Sequence, residues 1–89
     1  MTVTVDQVKA LLKIDNMQFD AYISTIINNT YVVYGYLDAL GASAEHKDEV
    51  VKYASAYRIA RQIGTFPKSM QEALLEHLRG LLSKYILAT

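Results

Sequence analysis

Apolar residues recur along this chain at steps of three and four, with interruptions at a few polar and glycine positions. That pattern predicts helices and almost no strand. In the segment from Thr4 to Asp15, Val5, Val8, Leu11 and Leu12 fall on one helical face. Thr4, with Gln7 three residues on, has the form of a capping box, which predicts a short helix over Val5 to Lys13. Thr2 and Val3 favour an extended start but are too few to build a sheet. Asp15 and Gln18 repeat the capping spacing and predict a longer second helix, from near Met17 at least to Tyr34. Its core stripe is Phe19, Tyr22, Ile23, Ile26, Thr30 and Val33. Leu37 and Leu40 stay in phase, so the pattern extends past Gly35 to a stop at Gly41, although an interior glycine costs about 1 kcal/mol relative to alanine.

Ser43 is placed to cap a third helix, Ala44 to about Ile63, that ends at Gly64. One face carries Val50, Tyr53, Ala54, Tyr57 and Ala60, and a second apolar strip, Ala56, Ile59 and Ile63, lies opposite. A helix apolar on two sides is either central in its own fold or sandwiched between that fold and a neighbour. The small size of the chain favours the neighbour. Thr65-Phe66-Pro67 breaks the pattern, with Pro67 suited to the first turn of the next helix. This last helix runs from about Lys68 to Ile86 on a stripe of Met70, Leu74, Leu78, Leu81 and Tyr85, widened by Leu75, Leu82 and Ile86. No repeat, low-complexity run or linker divides the chain. Residues 1–89 therefore read as one all-α domain, a compact bundle of about four helices, one short and three longer.

A chain of 89 residues buries only about 60–65% of its unfolded surface, so its core is modest. The composition is nevertheless 52% hydrophobic against 20% charged, which predicts that some apolar surface faces a partner. Formal net charge is zero, so nothing overall points to nucleic acid or an anionic membrane. Lys52, Arg58, Arg61 and Lys68 follow one another with no acid between them. A solvated or salt-bridged helix face accounts for this run more simply than a phosphate site. There are no cysteines, which excludes disulfide and thiol chemistry. No leader and no apolar run of roughly twenty residues is present, so no membrane partner is expected.

Candidate chemistry is sparse. His46 follows Glu45 and His77 follows Glu76, but adjacent helical residues diverge by about 100° and cannot share one ion. Glu72 and Glu76 have helical spacing without a Glu-x-x-His pair of the di-iron type. The serines lack an activating context, and four scattered glycines make no phosphate loop. No catalytic residue, cofactor or metal is expected, and the chain reads as a non-enzyme. The neutral charge and the helix lengths also disfavour a DNA-reading helix-turn-helix. Seven tyrosines remain. Tyr31 and Tyr36 lie off the stripe, where at least half exposure is expected, and Tyr34 lies at its edge. With the second strip of the third helix, these define a candidate protein interface of Tyr31, Tyr34, Tyr36, Ala56, Ile59 and Ile63.

The opening resembles that of the small head–tail connector (adaptor) proteins of long-tailed bacteriophages, whose short V-K-x-x-L-x-I-D helix precedes a long amphipathic one. Here the pattern stands as Val8-Lys9, Leu12, Ile14 and Asp15, followed by Phe19, Ile23 and Ile26. The segment VVKYASAYRIAR, Val50 to Arg61, is similar to the family's alanine- and tyrosine-containing helix ending in arginine. Asn16-Met17-Gln18 replaces the acidic run common in the family, and with Thr89 soon after the last helix, the longer C-terminal arm by which the family grips the portal is not expected.

The resemblance implies a structural virion protein at the head–tail junction, assembled in the host cytoplasm. Copies would form a ring, dodecameric in the virion, binding the portal protein above and a tail-side completion protein below. DNA would pass through the channel without specific binding. Such a ring needs two different patches per subunit, and placing the second strip there predicts that Asp at Ile59 and Ile63 abolishes the ring while leaving a helical monomer. The alternative is a small helical-bundle binding protein, immunity or antitoxin-like, that sequesters one protein partner.

Overall fold

The computed structural model describes residues 3–86, with side chains through Ser83. Thr2 lies outside the described residues, and the stripe positions Tyr85 and Ile86 lie outside the described side chains. The chain forms α1 (Val5–Leu12), α2 (Asp20–Thr30), α3 (Val32–Ala39), α4 (Ala44–Ile63) and α5 (Lys68–Ile86), and no strand occurs among the described residues. Because α2 and α3 meet at a single bent residue, the layout is that of the expected all-α bundle of about four helices.

Local chemistry sets most of the boundaries. Thr4 Oγ1 accepts from the Gln7 amide at 3.2 Å and Gln7 Oε1 accepts from the Thr4 amide at 3.1 Å, completing the capping box. The helix ends where Lys13 turns left-handed at φ 58°, which lets the Ile14 amide reach back to the Lys9 carbonyl at 3.0 Å. Ser43 Oγ accepts from the His46 amide to start α4, and Gly64 at φ 78° stops it. Gly41 at φ 82° closes α3 in the same left-handed way, with Ala42 N–H bonded to the Leu37 carbonyl.

Two boundaries depart from expectation. The second capping box does not form. Asn16 Oδ1 instead accepts from the Gln18 amide at 3.0 Å, a side-chain turn that takes the amide the cap needed and delays α2 to Asp20. The long second helix also bends, at Tyr31 and not at Gly35. Thr30 Oγ1 accepts no backbone amide but donates back to the Ile26 carbonyl at 2.7 Å, a bond that bends helices. At the bend the Tyr31 amide is shared between the Ile27 and Asn28 carbonyls.

α4 is the central element and packs against each of the other four helices. Its buried diagonal is Lys47, Val51, Ser55 and Ile59, at steps of four. Val50 flanks this diagonal in the first half and Ala56 and Ala60 flank it in the second. The two-sided apolar pattern therefore describes a helix central in its own fold, and the expected neighbouring molecule is not needed to explain it. Dimensions of 38 × 27 × 17 Å show how so short a chain manages this. The fold is a plate two helices thick, with α4 threaded along it.

Two clusters form the interior. The larger joins α1, α2, α4 and the start of α5 around Val8, Leu12, Ile23 and Ile59. The smaller joins α3, α4 and the later part of α5 around Leu37, Ala42 and Val50.

Candidate functional site

The predicted interface residues separate in the structure. Ala56 and Ile59 are fully buried, and Ile63 is half-buried against the same core, so the second strip of α4 is interior packing and not a docking surface. With Ile59 inside, an aspartate there cannot leave the monomer intact. Tyr31 is also more covered than expected: its ring packs on the core, and its hydroxyl accepts from the Val3 amide at 3.2 Å. Tyr34 is half-buried, 5.4 Å from the Tyr31 ring centroid, and donates its hydroxyl to Asp48 Oδ1 at 2.9 Å. That bond, strengthened by burial and the Asp48 charge, raises the Tyr34 pKa above its ordinary 10.0. Only Tyr36 stands free on the surface, 73% exposed.

Tyr36 borders an uncovered apolar groove. Val33, Tyr36, Leu37 and Leu40 of α3 form one wall of a groove of about 340 Å³. Val50 and Ala54 of α4 form the floor, and Leu78 and Leu82 of α5 form the other wall. Among the described residues, no charged side chain lines it. Leu40, which the periodicity placed in the core, is 51% exposed at the rim, and Val32, at the other end of α3, is 69% exposed.

The cause lies in α3. Six of its eight residues, VVYGYLDA, are apolar or aromatic, more than one buried face can use. Because α3 is short and α5 only leans against it, Leu37 alone is buried on this helix. Leu78, Leu81 and Leu82 remain half-buried around the smaller cluster. The all-round apolar character of α3 and the widened stripe of α5 were the signals in the sequence for this groove.

Charged groups hold the far side of α3 in place. Lys47 Nζ is 2.8 Å from Asp38 Oδ1 and lies 4.5 Å from the Tyr34 ring centroid. The hydrogen bond from Lys47, with its charge, holds the Asp38 carboxyl below the ordinary 3.8. Together with Tyr34–Asp48, this pins α3 to the first half of α4 and fixes the groove's upper wall.

The other candidates are occupied locally. His46 Nε2 lies 2.8 Å from the Leu81 carbonyl and donates to it, tying α4 to α5. His77 stacks on Tyr53 with ring centroids 3.9 Å apart. Among the described residues, no three of the His, Asp and Glu side chains gather as metal ligands would. In the basic run, Lys52 pairs with Glu49 at 2.9 Å and Arg58 donates to Thr30 Oγ1 at 3.2 Å. Arg61 lies 5.7 Å from the Tyr57 ring centroid. Among the described residues, no helix is long and apolar enough to cross a membrane.

No family model, curated protein or solved structure matches the chain. The groove's own chemistry therefore decides what this surface can hold. An uncharged trough rimmed by exposed Tyr36 and Leu40 suits an apolar protein segment. Fully covering a leucine-sized side chain contributes about 1.5–3 kcal/mol, and half-exposed Leu40 has roughly half of that still to gain.

Proposed function

We propose that the protein is a structural head–tail connector (adaptor) of a long-tailed bacteriophage, set as a ring beneath the portal and joining it to the tail while continuing the DNA channel. The observation that carries this reading is the groove between α3 and α5, an apolar surface with no charged side chain among the described residues that line it. The resemblance at Val8-Lys9, Leu12, Ile14 and Asp15 supports the same assignment. In it the role is mechanical, with no catalysis and no cofactor. The groove receives an apolar segment of the portal protein, and the opposite side of the ring is offered to the tail-side completion protein. DNA passes without base-specific contact.

The test is mass by light scattering, on the protein alone and mixed with purified portal. Co-elution with portal in many copies, weakened by Leu40→Asp or Tyr36→Ala, is the expected result. A protein whose mass ignores portal would overturn the reading. The second reading, a bundle that sequesters one partner, draws on the same groove, since a single apolar trough fits one amphipathic helix. A one-to-one complex would favour it.

A further inference from the structure

α4 presents opposite charge at its two ends, on opposite sides. In its first half, Glu45, Asp48, Glu49 and Lys52 join Val3 and Gln7 in lining a shallow groove of about 170 Å³. Three carboxylates and one ammonium line it; the ammonium, that of Lys52, lies 2.9 Å from Glu49, and Asp48 Oδ1 accepts from the Tyr34 hydroxyl. In its second half, Tyr57, Arg58, Arg61 and Gln62 line a recess of about 390 Å³. The adjoining recess towards α5 adds Lys68 and a single carboxylate, Glu72. Among the described residues, no carboxylate pairs with Arg58, Arg61 or Lys68.

Glu49 and Arg58 are nine residues apart, about two and a half turns at 3.6 residues per turn. They leave the helix on opposite sides, about 14 Å apart along its axis. A two-fold pair of such subunits would set like charge on like charge or leave one face of each copy uncovered. Head-to-tail contact covers both charged faces, and a formal net charge of zero means that added copies do not accumulate repulsion.

We infer that these two faces are the heterologous contact between successive copies of this chain. The Tyr57, Arg58 and Arg61 face of one copy seats in the Glu45, Asp48 and Glu49 groove of the next. Tyrosine and arginine are the side chains that most often anchor protein contacts, and the charge pattern fixes direction as well as affinity. The inference rests on the connector reading for closure, because head-to-tail pairing that does not close gives an open filament.

The experiment is sedimentation velocity on wild type and two charge reversals, Arg58→Glu with Arg61→Glu, and Glu45→Lys with Glu49→Lys. Each is checked for helicity by circular dichroism. Wild type should self-associate at low ionic strength and dissociate as salt is raised. Each reversal alone should associate at least about tenfold more weakly, and an equimolar mixture of the two should recover assembly. Because Arg58 also bonds Thr30, Arg61→Glu with Lys68→Glu provides a second basic-face variant that spares that bond.

A wild type monomeric at every salt and concentration, reversals that assemble like wild type, or folded reversals that fail to recover on mixing would each overturn the inference. Portal separates the two proposals. Assembly on portal unchanged by the reversals sustains the connector and removes this interface. Charge-dependent self-association that ignores portal sustains the interface and removes the connector.

Discussion

The ammonium of Lys47 lies 2.8 Å from Oδ1 of Asp38, although Lys47 is only 9% exposed and Asp38 faces solvent. The pair joins α3 to α4 across the Gly41 turn, and its two members respond differently to substitution. Asp38→Asn leaves a largely covered ammonium without its charge partner and should lower stability. Lys47→Met keeps the apolar stem, removes the ammonium's desolvation cost, and should be neutral or stabilising. Since the folded Asp38 carboxyl titrates below its ordinary 3.8, its contribution is present above that pH and is lost as pH falls through the lower folded value. Thermal melts across the acid range should show this loss in wild type, with Asp38→Asn flatter over that window.

Ile59 is fully buried at the meeting of α1, α2 and α4. Ile59→Ala should cost about 2–5 kcal/mol, measured by urea denaturation. Ile63, half-buried at the end of α4, should cost less for the same change. Equal losses at the two sites would contradict the placement of Ile59 in the core.

Lys13 holds a left-handed backbone, φ 58°, at the end of α1, where a Cβ is unfavourable. Lys13→Gly should stabilise by about 0.5–1 kcal/mol, the strain relieved exceeding the added freedom of the unfolded chain. For a domain this small that is a rise in melting temperature of roughly 2–8 °C. Gly64→Ala, at φ 78°, should move it the other way.

Ser55 Oγ is buried and, among the described residues, has no hydrogen-bond partner. A covered hydroxyl without a partner keeps its desolvation cost, about 1–3 kcal/mol. Ser55→Ala should therefore be neutral or stabilising in chemical denaturation, and a clear loss of stability would show that the hydroxyl is satisfied.

Helix ends were legible where the deciding chemistry lay within a few residues. Thr4 with Gln7, Ser43 with the His46 amide, and the stops at Gly41 and Gly64 all depend on neighbours in sequence. The start of α2 was misplaced because two local options competed, and Asn16 captured the Gln18 amide before a cap at Asp15 could. The Tyr31 bend was missed for a different reason: Thr30 sits in phase with the apolar stripe, and periodicity does not report that its hydroxyl bonds back to the Ile26 carbonyl. The covering of Tyr31 was hidden because its hydroxyl is held by the Val3 amide 28 positions away, which no local window contains.

The two apolar sides of α4 were visible, but the partners assigned to them were wrong. A plate 17 Å thick lets one helix touch all four others, an arrangement that chain length alone does not reveal. Of the groove, Tyr36 was identified from its off-stripe position. Leu40, Leu78 and Leu82 looked like core because periodicity reports a face and not whether anything covers it.

Val50 and Val51 are consecutive, yet one belongs to the smaller cluster under α3 and the other to the larger cluster under α1 and α2. The two interiors share α4, different stretches of α5 and the side chain of Val33, yet no buried side chain belongs to both, so the smaller can loosen ahead of the larger. Loosening α3 costs the smaller one, with its three buried side chains, while Val51 to Ala60 stay packed. Amide hydrogen exchange should accordingly be faster in α3 than along that stretch of α4. The wall of the groove can then adjust its fit to an incoming segment at a fraction of the free energy of unfolding the whole domain.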